Sequence, residues 1–311
     1  MNSFHHRLTC LALFAALGCD RQHNQTTTVE STTIVATSWP VAFLSERLAG
    51  DDFEVQCPIP AGADPITWEP DRAALVSLTT ARLVVLNGAG FEPWADRTSL
   101  PLSRVVITAD RFKRDWIVQQ DLTHSHGPRG DHSHGGTDPH TWLDPMLALA
   151  QAGAIRDALI ERNPHLSSAV EARFAELSSE LQEIHEGWMR VGQALAGRRL
   201  IAAHAAYDYL AGRHGWKIHN LDLDPAGPLS EQDLSELRDA ATSAPALALL
   251  WESEPKPAVA AAAKQASGLP NVVLSPAEVR SAEQRAAGVT FLDVQRSNVE
   301  RLLSLCQATD E

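Results

Sequence analysis

Histidines crowd one stretch of this 311-residue chain, residues 121–145. Five of the thirteen histidines fall there, separated by Gly, Ser, Pro and Asp rather than by the apolar residues of a core. Neutral imidazoles in a polar setting are ligands that Zn²⁺ and related divalent ions prefer. The stretch therefore indicates metal chemistry, and its histidines are His124, His126, His132, His134 and His140.

The stretch has two parts of different character. Residues 121–135 carry His-Ser-His twice, which is typical of a flexible loop that collects metal ions, although a disordered polar insertion has the same composition. By contrast, Asp-Pro steps at 138 and 144 bracket Trp142 and restrict the backbone on both sides of His140. We therefore expect His140 to point in a defined direction, as a ligand in a folded site does.

Composition limits the classes of partner. A hydrophobic content of 44% with 21% charged residues is ordinary for a globular protein, and the formal net charge is −13. Nucleic acids and anionic membrane surfaces are held by clusters of Lys and Arg, so this balance argues against both as partners. A negative net charge is more compatible with a cation as the partner.

The N-terminus is typical of a bacterial lipoprotein. Residues 1–18 read as a signal peptide, with a basic start, an apolar run too short to span a bilayer, and Gly18 before the predicted lipid-bearing Cys19. Residues 19–31 read as a polar tether, which places the protein in the periplasm or cell envelope on a lipid anchor. Of the remaining cysteines, Cys57 and Cys306 could pair in such a compartment, and the sequence leaves that open.

Short β-branched strands alternate with helices on both sides of one long helix. This alternation predicts an α/β fold of two parallel-sheet lobes, residues 32–163 and 197–311, joined by a backbone helix over 164–196. Along that helix an apolar residue recurs every three or four positions, which also suits a dimeric coiled coil. We favour an intrachain strut and a monomer. The predicted strands are 33–37, 53–59, 82–87, 104–108, 199–203, 216–221, 246–251 and 271–274.

Two further polar residues follow predicted strands directly. His204 comes after the strand at 199–203, and Glu252 comes after the strand at 246–251. Because the carboxyl ends of parallel strands meet at one edge of a sheet, His204 and Glu252 should face the cleft between the lobes. With His140 they are our candidate metal ligands.

Several motifs together resemble the metal-specific solute-binding proteins of bacterial ABC transporters, the zinc and manganese uptake family. They are the lipoprotein-like start, the His-rich loop, the long linking helix, and the segments 62–70, 138–145 and 203–207. The resemblance implies two α/β lobes with Zn²⁺ or Mn²⁺ bound between them as transported cargo, and delivery of that metal to an ABC permease. It also implies that His140 and His204 are the second and third histidine ligands.

The chain departs from the family pattern at two positions. Asp-Pro-x-Thr-Trp occurs at 64–68 and again at 138–142, and Ile66 stands in the first copy where His140 stands in the second. The family has a histidine ligand at that first position and an aspartate where this chain has Ser275. We therefore expect a reduced site of His140 and His204, completed by Glu252 or, after it, Glu69 or Asp64.

Two other functions remain open at this stage. A periplasmic metal buffer or chaperone would bind mainly through residues 121–135, and a zinc-dependent hydrolase would use Glu252 as a general base beside an open metal site. No His-Glu-x-x-His or Gly-x-Ser-x-Gly motif supports the hydrolase, so we expect a binding protein rather than an enzyme. Imidazoles favour zinc over manganese without deciding between them.

Overall fold

The computed structural model describes residues 31–60, 63–119, 123–125, 131–133 and 136–308. The predicted signal peptide, Cys19, residues 19–30 of the tether, and two of the loop histidines, His126 and His134, lie outside the described residues. None of the helices within these ranges has the length and apolar character that a bilayer crossing requires.

The first sheet is parallel and has four strands. They are β1 (Thr33–Ala36), β2 (Glu54–Gln56), β3 (Leu83–Leu86) and β4 (Val105–Ile107), in the spatial order β2-β1-β3-β4. β1 and β3 are central and almost wholly buried, which suits apolar runs in a parallel sheet. Helices α1 (Trp39–Ala49) and α2 (Arg72–Thr80) follow β1 and β2 in the chain.

Two short antiparallel pairs follow the first sheet. β5 (Val118–Gln119) pairs with β8 (Gly136–Thr137), and β6 (Thr123–Ser125) pairs with β7 (Asp131–Ser133). The second pair sets the backbones of His124 and His132 opposite each other. The strands β5 and β8, which flank the His-rich segment 121–135 in the chain, thus pair directly before Asp138 and His140.

The second sheet repeats the plan of the first. Its parallel strands are β9 (Arg199–Ala202), β10 (Lys217–Asn220), β11 (Ala246–Trp251) and β12 (Asn271–Val273), in the order β10-β9-β11-β12. Two four-stranded parallel sheets flanked by helices confirm the predicted α/β class. The remaining helices are α3 (Pro145–Arg162), α4 (Ser167–Leu195), α5 (Asp208–His214), α6 (Glu231–Ser243), α7 (Pro257–Ser267), α8 (Ala282–Ala286) and α9 (Phe291–Ala308).

The long helix α4 packs inside the chain. A 3₁₀ turn, Pro164–Leu166, takes the place of its predicted first turn, and the α-helix itself has 29 residues. It packs against α3 and α9, and at Gly187 the approach of α9 is so close that a Cβ would lie 2.8 Å from Val299. The seam therefore serves as an intrachain strut, while the exact domain limits stay predictions. Its buried apolar side chains are Val170, Leu177, Leu181, Ile184, Trp188, Val191 and Leu195.

Helices α3, α8 and α9 were not predicted. α3 is rich in alanine and is buried on several sides, between α1 and α4, so its sequence lacks a one-sided apolar period. The two remaining cysteines are not bonded to each other, because Cys57 is exposed after β2 whereas Cys306 is buried in α9.

Candidate metal centre

Three elements bring the candidate ligands to one place. His204 lies two residues beyond β9 and Glu252 directly follows β11, so the carboxyl edge of the second sheet presents both. His140 comes from the first lobe, in the short loop between β8 and the 3₁₀ turn Thr141–Leu143. The imidazole rings of His140 and His204 lie edge to face with centroids 5.5 Å apart. The structure thus joins the two predicted histidines.

Asp138 fixes the orientation of His140. Its Oδ1 accepts hydrogen bonds from both the backbone N–H of His140, at 2.9 Å, and the ring Nδ1, at 2.8 Å. Asp138 is fully buried and His140 is 2% exposed, so solvent does not compete for these bonds. A carboxylate on one ring nitrogen leaves the other, Nε2, facing the cleft, which is the arrangement common behind metal-binding histidines.

Glu278 also belongs to this centre, and the sequence reasoning missed it. Its Oε1 lies 2.8 Å from Nε2 of His140. The resemblance led us to expect an aspartate at position 275, and the sequence has an acidic residue three positions later. That was the signal available for Glu278. Ser275 itself is bonded within its own surroundings: its Oγ accepts the backbone N–H of Ala277 at 3.2 Å, and its backbone N–H and C=O bond the side chain of Asn298.

The loop that carries Glu278 is fastened to the first lobe. The Trp142 ring N–H donates to the carbonyl of Pro276 at 2.7 Å, and the backbone N–H of Trp39 donates to the carbonyl of Glu278 at 3.1 Å. Trp142 follows His140 by two residues. These two hydrogen bonds therefore fix the Glu278 loop relative to the first lobe, and with it the position of Glu278 beside His140.

Glu252 lies near His204. Its Oε2 is 3.9 Å from Nδ1 of His204. Burial, followed by the negative charge of Glu278, raises the pKa of Glu252 to about 7, and the charges of Asp224 and Asp64 act in the same direction. Three carboxyl groups therefore lie within 4 Å of ring nitrogens of the two imidazoles, an electrostatic setting that favours a divalent cation.

Three other positions were considered from the sequence: Ile66, Asp64 and Glu69. The Ile66 side chain is 7% exposed and belongs to the main apolar core. Asp64 is turned toward its own loop, where its Oδ1 accepts the Ile66 backbone N–H at 2.9 Å. Glu69 does not reach the centre, because its two-thirds exposed carboxylate pairs with Arg97 at 2.9 Å. Glu69 is thereby removed from our list of candidate ligands.

A buried hydrogen-bond network holds the backbone next to His140. The side-chain N–H of Asn87 donates to the carbonyl of Pro139 at 3.0 Å, next to His140. Asn87 is held in turn by Glu92, whose Oε1 accepts the Asn87 backbone N–H at 2.7 Å. Burial raises the pKa of Glu92 to about 7 although its hydrogen bonds act in the opposite direction.

Without a metal, the His140 imidazolium donates one ring N–H to Asp138 and the other to Glu278. Burial lowers the pKa of His140, but hydrogen bonds to Asp138 and Glu278 outweigh burial and raise it to about 10. As the described side chains stand, no three His, Cys, Asp or Glu residues are arranged to hold a metal. A tetrahedral Zn²⁺ with bonds of about 2.0–2.2 Å needs its N and O ligands about 3.4 Å apart. The 2.8 Å pair would therefore open by about 0.6 Å.

Comparison with known proteins identifies the family of this chain. The model of the ZnuA family, zinc-uptake complex component A periplasmic, matches residues 34–304. The chain belongs to the ZnuA family. The resemblance noted in the sequence is thereby confirmed.

Individual relatives of this ZnuA-family chain are distant. The zinc-binding lipoprotein AdcA of Streptococcus pneumoniae is 26% identical over 284 residues, which are 89% of this chain but only 56% of AdcA. The chain thus spans little more than half of that relative. The high-affinity zinc uptake system protein ZnuA of Bacillus subtilis is 23% identical over 275 residues, 86% of each protein.

Solved structures share the ZnuA-family fold. The Zn(II)-bound ZnuA-like domain of S. pneumoniae AdcA superposes with a TM-score of 0.74 at 25% identity, covering 90% of this chain and 100% of that one. FpvC of Pseudomonas aeruginosa, solved with Mn²⁺, has a TM-score of 0.69 at 22% identity and covers 89% of this chain and 99% of its own. The second likeness shows the fold alone.

Proposed function

We propose that this chain is an extracytoplasmic receptor that binds Zn²⁺ and delivers it to the permease of an ABC importer. The observation that carries the proposal is the meeting of His140, His204 and Glu278 at the edge shared by the two lobes, with His140 2.8 Å from Glu278. Family membership and the Zn(II)-bound AdcA domain support it.

In this proposal the ion replaces the proton between His140 and Glu278. Nε2 of His140, one ring nitrogen of His204 and the Glu278 carboxylate are three ligands, and Glu252, 3.9 Å from His204, is the fourth. Ile66 supplies none, since an alkyl side chain has no donor atom. Two imidazoles and two carboxylates form a complete tetrahedral set for Zn²⁺.

The choice of zinc over manganese rests on the two imidazoles. Mn²⁺ is served best by oxygen ligands, and this set contains as many carboxylates as imidazoles, so manganese is the second candidate. Both ions would be cargo, released to the permease, rather than a resident cofactor. We propose no catalytic role for the centre.

We further propose that lipidation of Cys19 anchors the receptor in the cell envelope and that it acts as a monomer. Residues 19–31 then give the domain reach from the membrane to the permease. The His-rich segment 121–135 would raise the local metal concentration, because the strands on either side of it, β5 and β8, pair directly before His140.

Calorimetric titration with Zn²⁺ and with Mn²⁺ tests the proposal. Four metal-free proteins are compared: the parent, a variant lacking residues 121–135, and both of these with His140→Ala and His204→Ala. We expect one tight zinc site that survives the loop deletion and disappears with the two histidines. Loss of all tight binding on deletion of the loop alone would instead identify a metal buffer.

A further inference from the structure

A second pair of imidazoles meets outside the cleft, between α4 and α5. His185 lies in α4 and His214 is the last residue of α5, with ring centroids 5.1 Å apart and ring planes at 42°. Nδ1 of His185 and Nε2 of His214 are both buried, and neither has a hydrogen-bond partner. Buried polar atoms are nearly always satisfied, so two such nitrogens in adjacent rings call for a bridging group.

The separation of the rings suits a shared metal ion. Zinc lies about 2.0–2.1 Å from an imidazole nitrogen, which puts it about 3.2 Å from the ring centre. At a tetrahedral angle, two ring centres then lie about 5.2 Å apart. The observed 5.1 Å matches this distance, as does the 5.5 Å between His140 and His204 in the cleft.

The charged side chain next to the pair is already compensated. The nearby Arg213 cation is paired with Asp144, which reduces its repulsion of an incoming ion.

We propose that His185 and His214 form a second binding site for a divalent transition-metal ion such as Zn²⁺, with water completing the coordination. The indoles of Trp188 and Trp216, 5.3 Å apart, pack next to the pair and shield one side of it. With two protein ligands, this site binds zinc more weakly than the cleft does. It does not depend on the function proposed for the cleft.

Zinc titration in a background without cleft ligands tests the site. The parent of this experiment carries His140→Ala and His204→Ala, and the test protein adds His185→Gln and His214→Gln. A matched control adds His165→Gln, which changes an exposed histidine of the 3₁₀ turn before α4. Because all three proteins keep residues 121–135, the His-rich segment contributes equally to each.

We expect the test protein to bind one zinc fewer per chain and the control to match its parent. Equal stoichiometry and affinity in all three proteins would overturn the proposal. If the double His→Gln protein fails to fold, a crystal of the unmodified protein soaked in zinc chloride decides. An anomalous peak about 2.0–2.1 Å from His185 Nδ1 and His214 Nε2 supports the site, and its absence beside a peak in the cleft refutes it.

Discussion

Replacing Asp138 should weaken zinc binding although Asp138 is not itself proposed as a ligand. Its Oδ1 holds both the backbone N–H and the ring Nδ1 of His140 in a fully buried setting. Losing such a carboxylate behind a metal-binding histidine typically costs 10–100-fold in affinity, about 1.4–2.7 kcal/mol. Asp138→Asn keeps an oxygen that accepts both bonds and loses only the charge, so we expect about a tenfold loss. Asp138→Ala also frees the ring, so we expect about 100-fold.

The assay is competition for zinc against a chelator of known affinity, at pH 7. Asp157→Asn is the matched control, because Asp157 forms a partly exposed surface pair with Arg111 and should leave zinc affinity unchanged. Circular dichroism and thermal unfolding of the metal-free variants establish that each is folded. If folded Asp138→Ala binds zinc within twofold of the parent, Asp138 does not position His140 and the reasoning fails.

Three further outcomes follow from the same contacts. Glu278→Gln should reduce zinc affinity in the chelator assay at least as much as Asp138→Ala does. Glu69→Gln, which changes an exposed surface pair, should leave zinc affinity unchanged. If Glu278→Gln and Glu69→Gln had the same effect on zinc affinity, Glu278 would not belong to the centre. Leu177→Ala in the buried α4 seam should lower the free energy of unfolding by about 2–5 kcal/mol, against less than about 0.5 kcal/mol for the exposed Met189→Ala, as measured by urea titration. Because burial raises the pKa of Glu92 from 4.5 to about 7, the folded protein keeps a proton that the unfolded chain releases between these values. Stability should therefore fall as pH rises from 4.5 to 7, and Glu92→Gln should remove up to about 3 kcal/mol of that fall; an unchanged pH profile in the variant would contradict this assignment.

Much of the fold could be predicted from local patterns. Each of the eight principal strands of the structure lies within a predicted β-branched or apolar run, and Ser230 caps α6 with the reciprocal bonds of a capping box. The predicted backbone helix differs at its start, since the chain forms a 3₁₀ turn at Pro164 before the α-helix begins. α3 escaped prediction because a helix covered on several sides has no polar face to mark its period.

The site could be predicted only in part. His140 and His204 were recognisable because an Asp-Pro step and a strand end fix their directions locally. Glu278 was not, because its place beside His140 depends on contacts 138 residues apart in the chain and on the attachment of its loop to Trp142 and Trp39. Glu69 was retained as a candidate for the same reason, since no local pattern reveals its pairing with Arg97.

The most direct test of the proposed centre is a crystal structure of the zinc-loaded protein with data collected at the zinc absorption edge. The account predicts an anomalous peak in the cleft, about 2.0–2.2 Å from Nε2 of His140, a ring nitrogen of His204 and a carboxylate oxygen of Glu278. A protein that binds zinc tightly while His140 keeps its 2.8 Å hydrogen bond to Glu278, with no peak between them, would contradict it.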